Sequence, residues 1–107
     1  MATSRGTTPT YTLTLPSMVD LTGKDVYVTF ADKNYKKIIE KTNADLDIDT
    51  NVIEVFLTQA ETLKFPLAQV MVQVNWVSEE AGHIARGASV IKQIPTCRNL
   101  KEEVISL

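Results

Sequence analysis

The chain has one cysteine and one histidine. A single thiol cannot close an internal disulfide, so packing has to supply the stability that small secreted domains take from cross-links. Cys97, followed by Arg98, reads as a spectator thiol. An intermolecular disulfide or a reactive nucleophile is the alternative, with no more than a weak electrostatic push from Arg98 behind it. His83 sits in the Glu-rich turn Ser78-Glu-Glu-Ala-Gly82-His83 with no second His or Cys near it in sequence, which excludes the usual spacing of a transition-metal site. The same scarcity argues against a Ser-His-Asp or Cys-His arrangement, although Ser89 and Cys97 are present, and nothing resembles a phosphate-binding glycine loop. No catalytic residue, metal ligand or cofactor is expected, and no small-molecule substrate.

Charge of one sign is also missing. The net charge is -2 with 22% charged residues and no block of Lys and Arg, so neither nucleic acid nor an anionic membrane surface is an expected partner. No uninterrupted apolar run is long enough to cross a bilayer, and Met1-Ala-Thr-Ser-Arg-Gly6 lacks the hydrophobic segment of a signal peptide. The expectation is a chain made in the cytoplasm and not exported by the Sec route.

What the sequence does contain is alternation. With 107 residues and 44% hydrophobic content the chain has room for one domain and one core. Seven stretches alternate apolar with polar residues, the clearest being Val70-Met-Val-Gln-Val-Asn-Trp76, which sends four large side chains to one face of a strand. This predicts an all-β antiparallel sandwich of about seven strands.

Residues 1–9 are mostly Ser, Thr and Gly with a single Arg5 and are expected to form a flexible arm. Residues 10–96 form the sandwich. Its strands are expected at 10–15, ended by Pro16, at 24–31 after the turn Asp20-Leu-Thr-Gly23, and at 36–42 after the polar turn Asp32-Lys-Asn34. A short strand carrying Leu46 and Ile48, then strands at 51–58, 66–77 and 85–94, complete the set, with Pro95 ending the sheet. Thr58-Gln-Ala-Glu61 matches a capping box and predicts one helical turn crossing between sheets, anchored by Phe65. Residues 97–107 are expected to form a short C-terminal helical tail, capped by Asn99, with Leu100, Val104 and Leu107 on one face that must dock on something.

Asp45-x-Asp47-x-Asp49 invites comparison with a calcium loop, but an EF-hand needs Gly sixth and Glu twelfth, where this chain has Thr50 and Phe56. On a strand the aspartates instead spread along a solvated face and discourage edge pairing. Trp76 could stack on a ligand; its register with Val70, Val72 and Val74 favours a core residue closing one end of the sandwich. It is not the immunoglobulin tryptophan beside a disulfide, since the cysteine pair is missing. The opposite face is the anomaly. Tyr27, Val52, Phe56, Met71 and Val77 all point away from the core, and if their strands share one sheet they make an exposed apolar patch of the kind that marks an interface. A register error, or cover by a bulge or the C-terminal helix, is the competing explanation.

Tyr11-Thr-Leu-Thr-Leu-Pro16, Val19-Asp-Leu-Thr-Gly23 before Val26-Tyr-Val-Thr-Phe30, Leu57-Thr-Gln-Ala-Glu-Thr-Leu-Lys-Phe65 and the ending Asn99-Leu-Lys-Glu-Glu-Val-Ile105 together resemble small structural proteins of tailed phages and prophages of Gram-positive bacteria. The Leu-Thr-Gly turn before a strand is also similar to the N-terminal domain of phage upper-baseplate proteins and to other immunoglobulin-like modules. The resemblance implies an immunoglobulin-like fold and a virion component of tail, baseplate or capsid surface. It carries no catalytic residues. Its partners would be other virion proteins and copies of itself, met through Tyr27, Val52, Phe56, Met71 and Val77 and through Leu100, Val104 and Leu107. An immunoglobulin-like adhesion or carbohydrate-binding module is the rival reading, and a hydrolase using His83 as base ranks last.

Overall fold

The computed structural model describes residues 3–80, 82–88 and 92–97, so the expected tail with Leu100, Val104 and Leu107 lies outside the described residues. In chain order the strands are β1 (Thr3–Ser4), β2 (Thr10–Thr14), β3 (Asp25–Ala31), β4 (Lys37–Thr42), β5 (Leu46–Asp49), β6 (Val52–Phe56), β7 (Ala68–Glu80), β8 (His83–Ala88) and β9 (Lys92–Cys97). A 3-10 turn at Asn43–Asp45 joins β4 to β5, and the one-turn helix α1 (Gln59–Thr62) joins β6 to β7. The strands form two sheets, a large one ordered β1-β9-β7-β3-β4 with β8 also on β7, and a small one ordered β2-β6-β5. All pairings are antiparallel except β1 with β9.

Period-2 alternation sets what lies between the sheets. Val26, Val28 and Phe30 of β3 and Val70, Val72 and Val74 of β7 meet Leu13, Ile53 and Val55 of the small sheet in one buried cluster. Its aromatic spine runs from Tyr11 through Phe30 to Phe65, with ring centroids 6.2 and 5.7 Å apart. Phe65 follows α1, so the helix brings the chain from the small sheet to the large one and drops an anchor between them.

The capping box forms. Thr58 Oγ1 accepts the Glu61 N–H and the Glu61 carboxylate accepts the Thr58 N–H at 2.8 Å. Glu61 also pairs with Lys41 of β4 at 2.7 Å, both side chains largely covered, so the crossing helix is tied to the edge of the large sheet. Burial acts to raise the Glu61 pKa, but hydrogen bonds from Lys41 and from Thr58 outweigh it and hold the carboxyl below its ordinary value.

Three expectations are corrected. Residues 3–9 are not a free arm: β1 pairs in parallel with Thr96 and Cys97, Thr3 and Tyr11 share a hydroxyl hydrogen bond, and the Leu57 N–H donates to Pro9 O. Arg5 donates to the Leu63 carbonyl at 2.7 Å, where the end of α1 needs a donor, and Thr62 Oγ1 donates to Thr7 O at 2.7 Å. A Ser/Thr-rich segment buries little apolar area but has hydroxyls and amides enough to be held by hydrogen bonds.

The last strand does not keep one register. Along the side of β7 away from β3, Asn75 faces Ala88 and Val72 faces Lys92, three steps on β7 against four on its partner. This one-residue offset reverses the alternation, so that Ala85 and Gly87 lie opposite the inward Ser78–Trp76 stretch while Ile94 and Thr96 turn inward further on. Pro95 does not end the sheet either. It pairs with Gln69 as an exposed residue within β9, near the outer side of the sheet, where a residue without an N–H is tolerated.

Two measurements follow. Phe30→Ala should lose about 3–5 kcal/mol in urea unfolding, because the fully buried ring touches both neighbours of the aromatic spine; a loss below about 1 kcal/mol would contradict the packing. A carboxyl whose pKa is depressed on folding contributes stability above its unfolded value, and that contribution disappears as pH falls through the folded one. Wild type should therefore lose more stability than Glu61→Gln on acidification through the carboxylate range, and parallel pH curves would refute the role given to Glu61.

Candidate interaction surface

The sandwich has two outer faces, and the five residues expected to form one patch divide between them. Tyr27, Met71 and Val77 lie on the large sheet, whereas Val52 and Phe56 lie on the small sheet, on the other side of the core. The single five-residue patch is thus corrected to two separate surfaces. Alternation places each residue outward correctly, but it carries no information on which sheet a strand joins.

On the large sheet, pairing sets Thr42, Tyr27, Asn75 and Ala88 side by side, and in the next outward row Asp25, Val77 and Arg86. Tyr27, Asn75, Trp76, Val77, Arg86 and Gly87 line an open groove of about 340 Å³. The Tyr27 hydroxyl, the Asn75 carboxamide and the Arg86 guanidinium make no hydrogen bond or ion pair among the described residues. Asn43 and Asn51, by contrast, are committed to the fold: Asn43 bridges Lys24 O and the Val26 N–H, and Asn51 donates to Leu15 O.

The floor of this groove explains a glycine. Trp76 faces Gly87 across the β7–β8 pair and packs against the core cluster, in keeping with a core role rather than an exposed stacking platform. A Cβ at position 87 would overlap the indole. Position 87 therefore takes no side chain while the ring keeps its place.

Beyond Asp25, where β3 starts, β7 and β8 continue as a two-stranded ribbon through Glu80 and His83. Ile84 on this ribbon is 58% exposed, and His83 is exposed at its end. Met71, although on the outer face, is only 6% exposed and shares a shallow pocket with Thr29, Ala31, Tyr35 and Gln73, so its neighbours rather than a partner cover it. Sequence reasoning missed Asn75, Ile84 and Arg86. The inward residues of β8 are Ala85 and Gly87, too small to mark a strand face by hydrophobicity, and the outward ones then have no pattern to stand against.

On the small sheet the outward positions are Thr10, Thr12 and Thr14 of β2, Val52, Glu54 and Phe56 of β6, and Asp47 and Asp49 of β5. Phe56 is 54% exposed and Val52 half-buried. The aspartates spread along the edge strand, and among the described residues no group of three or more His, Cys, Asp and Glu is arranged to hold a metal ion.

Gly87→Ala should shift the Trp76 emission and lower the unfolding midpoint, since either the indole or the β8 backbone must move; an unchanged spectrum and midpoint would show that the ring does not lie against position 87. Comparison of the chain with protein-family models, with curated proteins and with solved structures gave no match.

Proposed function

We propose that this chain is a non-enzymatic structural protein of a tailed-phage virion, a tail, baseplate or capsid-surface component that works by protein-protein assembly on an immunoglobulin-like sandwich. The strand order supports the fold assignment. A β9-β7-β3-β4 layer over a β2-β6-β5 layer matches the G-F-C-C′ and B-E-D sheets of that fold when β2 is taken as strand B, and the helical turn then falls between strands E and F.

One observation carries the functional reading: both outer faces expose large apolar side chains, Tyr27 and Ile84 on one and Phe56 on the other, where a monomer's sheet would present polar residues to water. A protein repeated in a shell or tube has neighbours on more than one side, and two such faces suit that use. The virion membership itself comes from the sequence resemblance.

The groove holding Tyr27, Asn75 and Arg86 favours a second reading, a carbohydrate-binding module, because an aromatic ring beside hydrogen-bonding groups with no partner among the described residues is what a sugar needs. Trp76 at the floor of the groove separates the two. A glycan that shifts its emission supports the module.

Tryptic mass spectrometry of particles purified from a host carrying the gene is expected to find this chain in stoichiometric amount. Its absence from particles would refute the virion role.

A further inference from the structure

The β3–β4 turn and the outer face of the small sheet carry opposite charge and are not joined within one chain. On the turn, Lys33 and Lys36 are exposed and make no ion pair among the described residues, and Tyr35 beside them is 71% exposed. On the face, Asp47, Asp49 and Glu54 are exposed and equally unpaired beside Phe56, with no cation among the outward positions of the three strands.

The turn is also built to hold its shape. Asp32 Oδ1 accepts the N–H groups of Asn34 and Lys36 at 2.9 and 3.0 Å, the Asp32 N–H donates to Lys36 O at 3.0 Å, and the Tyr35 N–H donates to Asp32 O at 3.0 Å. These bonds close a three-residue loop whose last position is left-handed, and that position is Tyr35, with φ 64°. Glycine or asparagine would serve such a turn better. A tyrosine there is strained, and although it borders the shallow pocket over Met71, most of it lies in water.

We propose that the β3–β4 turn of one copy docks on the outer face of the small sheet of a second copy, with Lys33 and Lys36 against Asp47, Asp49 and Glu54 and Tyr35 packing towards Phe56. The proposal rests on the assembly reading above and names its partner and its surface. Because turn and face are different parts of the molecule, the contact is head-to-tail, and repeating it gives a ring or a filament. A turn already fixed by its own hydrogen bonds loses little freedom on docking.

Sedimentation velocity of the full chain, from about 10 μM to about 1 mM, tests it. Association is expected to grow with concentration and to weaken between about 0.01 M and about 1 M salt, as the screening length falls from about 30 to about 3 Å. Asp47→Lys with Asp49→Lys, and separately Lys33→Glu with Lys36→Glu, should each weaken association by roughly tenfold or more, and a chain carrying both reversals should regain it. All four positions are exposed, so circular dichroism and Trp76 emission report that the variants are folded. Tyr35→Asn suits the left-handed position and removes the ring; it should weaken association while the chain stays folded by circular dichroism. A wild-type chain that stays monomeric, reversals without effect, or a double reversal that fails to rescue would each overturn the proposal. A monomeric chain still found in particles leaves the virion role standing, whereas self-association of a chain absent from particles does the opposite.

Discussion

The structure depends on one constraint: the apolar faces of β3 and β7 must be sealed against the small sheet, with Phe30 at the centre. Its ring lies between Tyr11 of β2 and Phe65 beyond α1, so the outermost strand of one sheet, a central strand of the other and the crossover between them meet at one side chain. No disulfide is available to relieve the demand. The polar devices around this core serve it. Glu61 closes the helical cap and grips Lys41 at the sheet edge, while Arg5 and Thr62 fasten the first residues to the same helix. Each satisfies groups that the crossover would otherwise leave without partners.

Sealing one face fixes what is available for function. An outward residue cannot contribute to the sealed core, and both sheets carry large apolar side chains that stay exposed there, Tyr27 and Ile84 on one and Phe56 on the other. The large sheet combines its outward Tyr27 with an asparagine and an arginine that have no partner among the described residues and with a ribbon that continues past β3. The small sheet combines Phe56 with an all-acidic set of charges. These are different chemistries, and on the assembly reading proposed above they would meet different neighbours.

Most of the element pattern was legible in the sequence because it is local. Alternation marked β2 to β7 within a few residues, Asp20-Leu-Thr-Gly23 formed its turn with Gly23 at φ 75°, and Thr58 with Glu61 formed its cap. What failed was non-local. Nothing between Ala85 and Ile94 announces that the inward parity changes, since Gly87 faces inward for the sake of Trp76 and Ile94 for the sake of Val70. The Ser/Thr-rich start gave no sign of pairing with Thr96 and Cys97, because that strand is held by its backbone rather than by a pattern. The candidate patch failed in the same way: Tyr27 and Phe56 were rightly read as outward, but which sheet each joins depends on partners distant in the chain.

On the proposed reading the two outer sheet faces are covered in the assembled protein and open in the free chain. Amide hydrogen exchange read by mass spectrometry, on free chain and on the same chain within its assembly, measures this most directly. Added protection is expected in the β3–β4 turn and along the edge strand β5 or the β7–β8 ribbon, with β3 and β6 unchanged. Protection confined to the remaining loops, or no difference between the two states, would contradict it.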